Sequence, residues 1–190
     1  MNGSGRAFQW LKWSAMFWLV FGRTARALAI FDEMLRRWPN DGYALASRSH
    51  VRAQCGQRDA AIADMQRLVA AQPDRSAAHW FNLAYLLEDA GRFAEAEPCF
   101  RRALELDPKL DRGWYGLGLT LIRLRRPEEA VTALKKNTEL QPMSPYGWYQ
   151  LARVQFDRQE REETRKIIRH LKGFEPKVAA QLERETGLVA

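Results

Sequence analysis

Tryptophan returns in this chain at a fixed interval. Trp80, Trp114 and Trp148 stand 34 residues apart, and each opens the same apolar pattern. In the clearest copy, Ala77 to Leu110, the residues Trp80, Leu83, Ala84 and Leu87 fall on one helical face at spacings of three, one and three. Gly91 breaks the pattern. Ala96, Phe100 and Ala103 then form a second stripe at spacings of four and three, ended by Leu106, Asp107 and Pro108. The pattern predicts two amphipathic helices joined by a short turn. Moved on by 34 residues, it returns as Trp114, Leu117, Gly118 and Leu121, then Ala130, Leu134 and Pro142. A further shift gives Trp148, Leu151 and Ala152, then Thr164, Ile168 and Pro176. One such hairpin cannot hide its own apolar face, so neighbouring copies must stack and bury a continuous core.

This period, with Trp-x-x-Leu-Ala or Trp-x-x-Leu-Gly, Ala-x-x-x-Phe and a terminal Pro, resembles the tetratricopeptide repeat (TPR). The resemblance implies an all-α fold, a right-handed α-α superhelix (TPR solenoid) of about five helical hairpins plus a C-terminal capping helix. The array is expected over residues 8–178, with a degenerate first copy at 8–41 and further copies at 42–75, 77–110, 111–144 and 145–178. Residues 1–7 have turn composition and are expected as a flexible N-terminus. Residues 179–190, with a narrow apolar stripe and a polar back, are expected as the capping helix and tail that a stacked array needs.

Residues 8–21, FQWLKWSAMFWLVF, allow three readings. As a membrane span they reach about 21 Å at a rise of about 1.5 Å per residue, short of a hydrocarbon core about 30 Å thick. As a signal peptide they are interrupted by Lys12, with only a weak cleavage site at Ala25, Arg26 and Ala27. As a first repeat they fit the register. Leu11, Ser14, Ala15 and Trp18 take the inner slots, Gly22 the turn, and Ala27, Phe31 and Met34 the second helix. That fit leaves Trp10, Trp13, Phe17 and Phe21 as a second apolar stripe outside the repeat. Such a stripe marks a contact surface for a membrane, a second copy or a client helix.

Several copies depart from the pattern. Arg48 and Ser49 stand in the second copy where the third has Leu and a small residue. Arg125 and Gln159 replace the turn glycine in the fourth and fifth copies, and Asn137 fills a slot that is small or apolar elsewhere. The loop after Pro73 holds one extra residue.

A net charge of +7 and a pI near 9.7 raise the question of nucleic acid. The surplus lies mainly in residues 1–76, which carry eleven Lys and Arg against six Asp and Glu, and it is thinly spread. Later runs alternate in sign, as a solvated helix face does, so a nucleic-acid partner is not expected. Cys55 and Cys99 lie in different repeats without a CxxC or histidine neighbour. Reduced thiols in a cytoplasmic protein are expected, with peripheral or N-terminal membrane anchoring through residues 8–21 as the alternative. His50, His79 and His170 are scattered, no phosphate-binding loop is present, and Glu128, Glu129, Glu162 and Glu163 open helices where carboxylates favour the helix dipole. No enzyme activity, metal or cofactor is expected.

Function in such an array falls to the hollow lined by the first helix of each pair. The stripe expected there includes Tyr43, His50, Phe81, Asn82, Tyr85, Arg112, Tyr115, Tyr146, Tyr149 and Arg153. Tyrosine and arginine supply rigid contact area with polar tips, as binding hot spots do. One subset of the family clamps the C-terminal carboxylate of chaperone tails. Here Asn82 and Arg112 are in register for it, but Ala46, His50 and Gly116 stand where Lys, Asn and Arg are wanted. The expected partner is a protein or peptide held in an aromatic, mildly basic groove, without such a clamp.

Overall fold

The computed structural model describes residues 3–190. Eleven α-helices and no strand occur among them: α1 Gly3–Val20, α2 Thr24–Arg37, α3 Gly42–Gln54, α4 Arg58–Ala71, α5 Ala77–Asp89, α6 Phe93–Leu106, α7 Asp111–Arg123, α8 Pro127–Leu140, α9 Pro145–Asp157, α10 Arg161–Lys172 and α11 Pro176–Thr186. They fall into two compact units, one ending at Ala90 and the other running from Gly91 to Ala190.

In the first unit each helix from α1 to α5 packs on the next. Leu11 and Ala15 of α1 are buried against α2, whose Ala27, Phe31 and Met34 are fully enclosed. Burying a side chain the size of Phe31 contributes about 1.5–3 kcal/mol. Residues 8–37 lie in this helical pair; of the inner slots expected on its first helix, Leu11 and Ala15 are buried and Ser14 and Trp18 half-buried. The loose N-terminus does not extend over residues 3–7, because α1 already begins at Gly3. Turn composition is a weak local preference, and the helix is held downstream by Phe8, whose ring meets Trp38 edge-on at 5.2 Å. Residues 1 and 2 lie outside the described residues.

The misfit at Arg48 has a structural purpose. Its guanidinium lies between Asp64 on α4, which it binds through Nε and Nη2, and Asp32 on α2, which Nη1 reaches at 2.7 Å. Arg52 reaches Asp64 at 2.8 Å. Asp64 is only 3% exposed. Burial opposes the charge on Arg48, but its hydrogen bonds to Asp64 and Asp32 outweigh that and hold its pKa above the ordinary value. Ser49 donates to the carbonyl of Ala61 at 2.9 Å, so the second misfit also ties α3 to α4.

In the second unit each helix from α6 to α11 packs on the next, and α11 also reaches α9. Gly116 and Gly118 mark close helix approaches. A Cβ at Gly116 would lie 2.5 Å from the Phe100 ring, and one at Gly118 would lie 2.7 Å from Leu134. Asn137 donates to the carbonyl of Asp111 at 2.9 Å, and its oxygen lies where a Cβ on Gly147 would be, 2.1 Å away. α11 starts at Pro176, three residues ahead of the boundary drawn for the cap, because proline's fixed φ suits the first helical position.

Two small devices repeat through both units. Helices α1, α3, α7 and α9 each end in a left-handed residue: Gly22 (φ 67), Gly56 (φ 76), Arg125 (φ 59) and Gln159 (φ 66). At each of these ends the next residue's N–H bonds back five residues and the left-handed residue's N–H bonds back three. That is the Schellman arrangement, which satisfies two otherwise orphaned carbonyls. The second device holds the next helix at its start. The indole N–H groups of Trp80, Trp114 and Trp148 donate to the carbonyls of Pro73, Pro108 and Pro142 at 2.6, 2.9 and 2.8 Å.

Candidate functional site

On the first unit, two clefts lie along α3 and share Ala46 as a wall. One, of about 370 Å³, is lined by His50 and Ala53 of α3 and by Asn82, Tyr85 and Leu86 of α5. Its far end carries Arg58 and Asp89, paired at 2.6 Å. The other, of about 530 Å³, lies between Phe8, Tyr43, Gln72, Arg75 and His79. The expected groove residues His50, Asn82 and Tyr85 thus meet in one cleft, and Tyr43 stands in the next. Phe81 is half-buried on α5.

The second cleft contains groups that the periodicity did not single out. Tyr43 Oη, Gln72 Oε1 and His79 Nδ1 are buried and have no hydrogen-bond partner among the described residues. Burial, followed by the nearby charge of Arg75, pushes the His79 pKa below its ordinary value and favours the neutral ring, which can accept at one nitrogen. The Lys12 ammonium lies 4.4 Å from the Tyr43 ring centroid and fixes that ring from the side of α1. The available signal was positional: Gln72 closes α4 and His79 opens α5, so the turn between them brings both to the start of α3.

On the second unit, Tyr115, Tyr146, Tyr149 and Gln150 line a cleft of about 460 Å³, closed on its other side by Glu175, Val178 and Gln181. Arg153 lies in an adjoining cleft with Phe156 and Glu185. Arg112 is exposed in the first turn of α7. The hydroxyl of Tyr149, expected to face a partner, is engaged by the chain itself. It bonds to the Glu185 carboxylate at 2.9 and 3.0 Å and accepts from Gln181 at 3.3 Å. Hydrogen bonds from Gln181 and then Tyr149 lower the Glu185 pKa. The reason is the packing of α11 on α9, which sets two polar residues of the cap beside the stripe.

Arg48, Arg52 and Arg58 do not form an open basic patch. Arg48 and Arg52 are bound to Asp64, and Arg58 to Asp89. No cluster of three or more His, Cys, Asp or Glu suited to a metal ion occurs among the described residues. On α1 the expected second surface is exposed: Trp10 by 68%, Trp13 by 71%, Phe17 by 53% and Phe21 by 63%. No described helix is long and apolar enough to cross a membrane.

Repeated helical pairs with a Schellman turn inside the pair and an indole–carbonyl joint at its start define an all-α repeat protein of the solenoid class. Residues 77–110 and 111–142 each match a family model described as Tetratricopeptide repeat. Residues 77–142 are thus two tetratricopeptide repeats, and such repeats support a protein–protein interaction scaffold of a kind that is typically non-enzymatic. The chain is similar in fold to the solved structure of MamA protein, with a TM-score of 0.83 at 16% identity over 98% of each chain. YrrB, described as a TPR protein with an unusual peptide-binding site, gives 0.79 at 18% identity over 90% of this chain and 88% of its own. For pilF of Pseudomonas aeruginosa the TM-score is 0.69 at 21% identity, over 99% and 96%. No curated protein matches the sequence.

Proposed function

We propose that the chain is a non-enzymatic cytoplasmic adaptor that holds an extended or helical segment of a partner protein, the first unit offering a surface on α3 and α5 and the second unit, taken by itself, one on α7 and α9. The observation that carries this reading is the convergence of Tyr43 Oη, Gln72 Oε1 and His79 Nδ1, all buried and unpaired, on one cleft. A buried polar atom left without a partner costs about 1–3 kcal/mol. A peptide main chain presents N–H donors at regular spacing and matches two acceptors beside a hydroxyl. Tyr85, Tyr115 and Tyr146 add aromatic area. YrrB, described as having a peptide-binding site, supports the reading at the level of fold. A carboxylate clamp does not fit, since Ala46 and His50 line the first cleft and Gly116 lies beneath Phe100.

The test is to select segments from a displayed peptide library with the full chain and measure their affinity by calorimetry. Tyr43→Phe removes one hydrogen bond and no bulk, which weakens binding about fivefold. His79→Leu and Tyr85→Ala weaken it as well. Binding that uses neutral His79 as an acceptor also falls as pH drops through the lowered pKa that His79 has in the folded protein. Segments that bind all three variants as tightly as the native chain overturn the proposal.

A further inference from the structure

The outward face of α1 is an apolar feature that the groove leaves unused. Leu11 and Ala15 turn inward, and the opposite side carries Trp10, Trp13, Met16, Phe17 and Val20, continued by Phe21 just past its end, all exposed. Single exposed hydrophobics are ordinary, but six along one helix face and just past its end are a contact surface. The surrounding charge narrows what the contact is. The first 31 residues hold Arg6, Lys12, Arg23 and Arg26 and no Asp or Glu. Arg6 stands toward one end of the face and Arg23 just beyond the other, both exposed. Arg26 lies over the Trp18 ring at 4.3 Å. The first acids in the chain, Asp32 and Glu33, are already paired with Arg48, Arg36 and Arg37.

We propose that α1 is an interfacial helix that docks the protein on an anionic lipid surface. Indole and phenyl rings enter the boundary between headgroups and acyl chains, while the flanking cations meet lipid phosphates. The helix lies on the surface and does not cross it. Its inner side is committed to α2, and its 18 residues span only about 27 Å. A second copy of the chain suits this face less well, because joining two such faces brings arginines together with no carboxylate between them.

The experiment uses the full chain with vesicles of phosphatidylcholine alone and vesicles in which about a quarter of the lipid is phosphatidylglycerol. The expected result is co-flotation with the anionic vesicles and a blue shift of tryptophan emission, with at least about tenfold weaker binding to the neutral vesicles and at high salt. Trp13→Gln with Phe17→Gln lowers anionic-vesicle binding by about tenfold or more, since both rings leave the interface. Arg6→Glu with Arg23→Glu produces a comparable loss without touching an aromatic ring. All four positions are exposed, so both variants retain native helicity by circular dichroism. Absence of vesicle binding, or equal binding to neutral vesicles, overturns the proposal. So does a dimer in sedimentation that the Trp13→Gln and Phe17→Gln pair dissolves, because the face then belongs to a second copy.

Discussion

The turn after each first helix can be tested in both directions. Arg125 and Gln159 adopt φ 59 and φ 66, where a side chain crowds the backbone at a cost of about 1–2 kcal/mol. Replacing either with glycine removes that cost but loosens the unfolded chain by about 0.5–1 kcal/mol. The net gain is about 0.5–1 kcal/mol at each site. Neither residue is buried, so little side-chain packing is lost. The reciprocal change is as clean. A Cβ built at Gly22 or Gly56 meets nothing within 4 Å, so alanine there is penalised through the backbone alone. Its cost is about 1 kcal/mol. Urea titration followed by circular dichroism at 222 nm, and thermal melts, give the answer. A gain of 1 kcal/mol raises the midpoint by about 2–4 °C for a chain of this size. Arg125→Gly together with Gln159→Gly should therefore raise it, and Gly56→Ala should lower it. If Arg125→Gly destabilises while Gly56→Ala is silent, the shared left-handed turn is not what sets these energies.

Further outcomes follow from the packing and the ionisable groups. Asp64→Ala strands Arg48 and Arg52 and should cost about 3–5 kcal/mol in urea unfolding, whereas Arg48→Met with Asp64→Leu should recover much of that loss. Gly116→Ala drives a methyl group into the Phe100 ring and should cost about 1–3 kcal/mol by thermal melt, because neither backbone nor ring can easily give way. Cys99 is buried with its pKa raised to about 11 by burial and then by Glu95, so mass spectrometry after iodoacetamide treatment of the native protein near neutral pH should find Cys55 labelled and Cys99 untouched. His79, its folded-state pKa lowered, keeps full stability above 6.5 and loses it as pH falls from there through the lowered value, where only the unfolded chain takes up the proton. His79→Gln should flatten that part of the stability curve.

The repeat register was legible because stacking makes every copy solve the same problem. Trp80, Trp114 and Trp148 share one slot in the sequence and one hydrogen bond in space. The left-handed turn was visible at Gly22 and Gly56, and at Arg125 and Gln159 only through the period, since side-chain type there argues against it. Arg48 read as a flaw because its partners lie 16 residues away on either side, on helices that meet α3 only after folding. The converging polar atoms at Tyr43, Gln72 and His79 were hidden for the same reason, as each comes from a different segment. The Tyr149 contact required the exact placement of α11, which a short stripe of apolar residues does not fix. Periodic burial speaks through local sequence, while polar contacts between segments depend on where those segments come to rest.

The indole joint has an implication for how such a chain can grow. Trp80 reaches back seven residues to its proline carbonyl, and Trp114 and Trp148 reach back six, yet all three make the same bond. The spliced link tolerates an added residue because its geometry is fixed by one ring and one oxygen, and the intervening loop takes up the slack. A duplicated segment cut between such prolines would carry its own connector, so lengthening the molecule calls for no redesign at the seam.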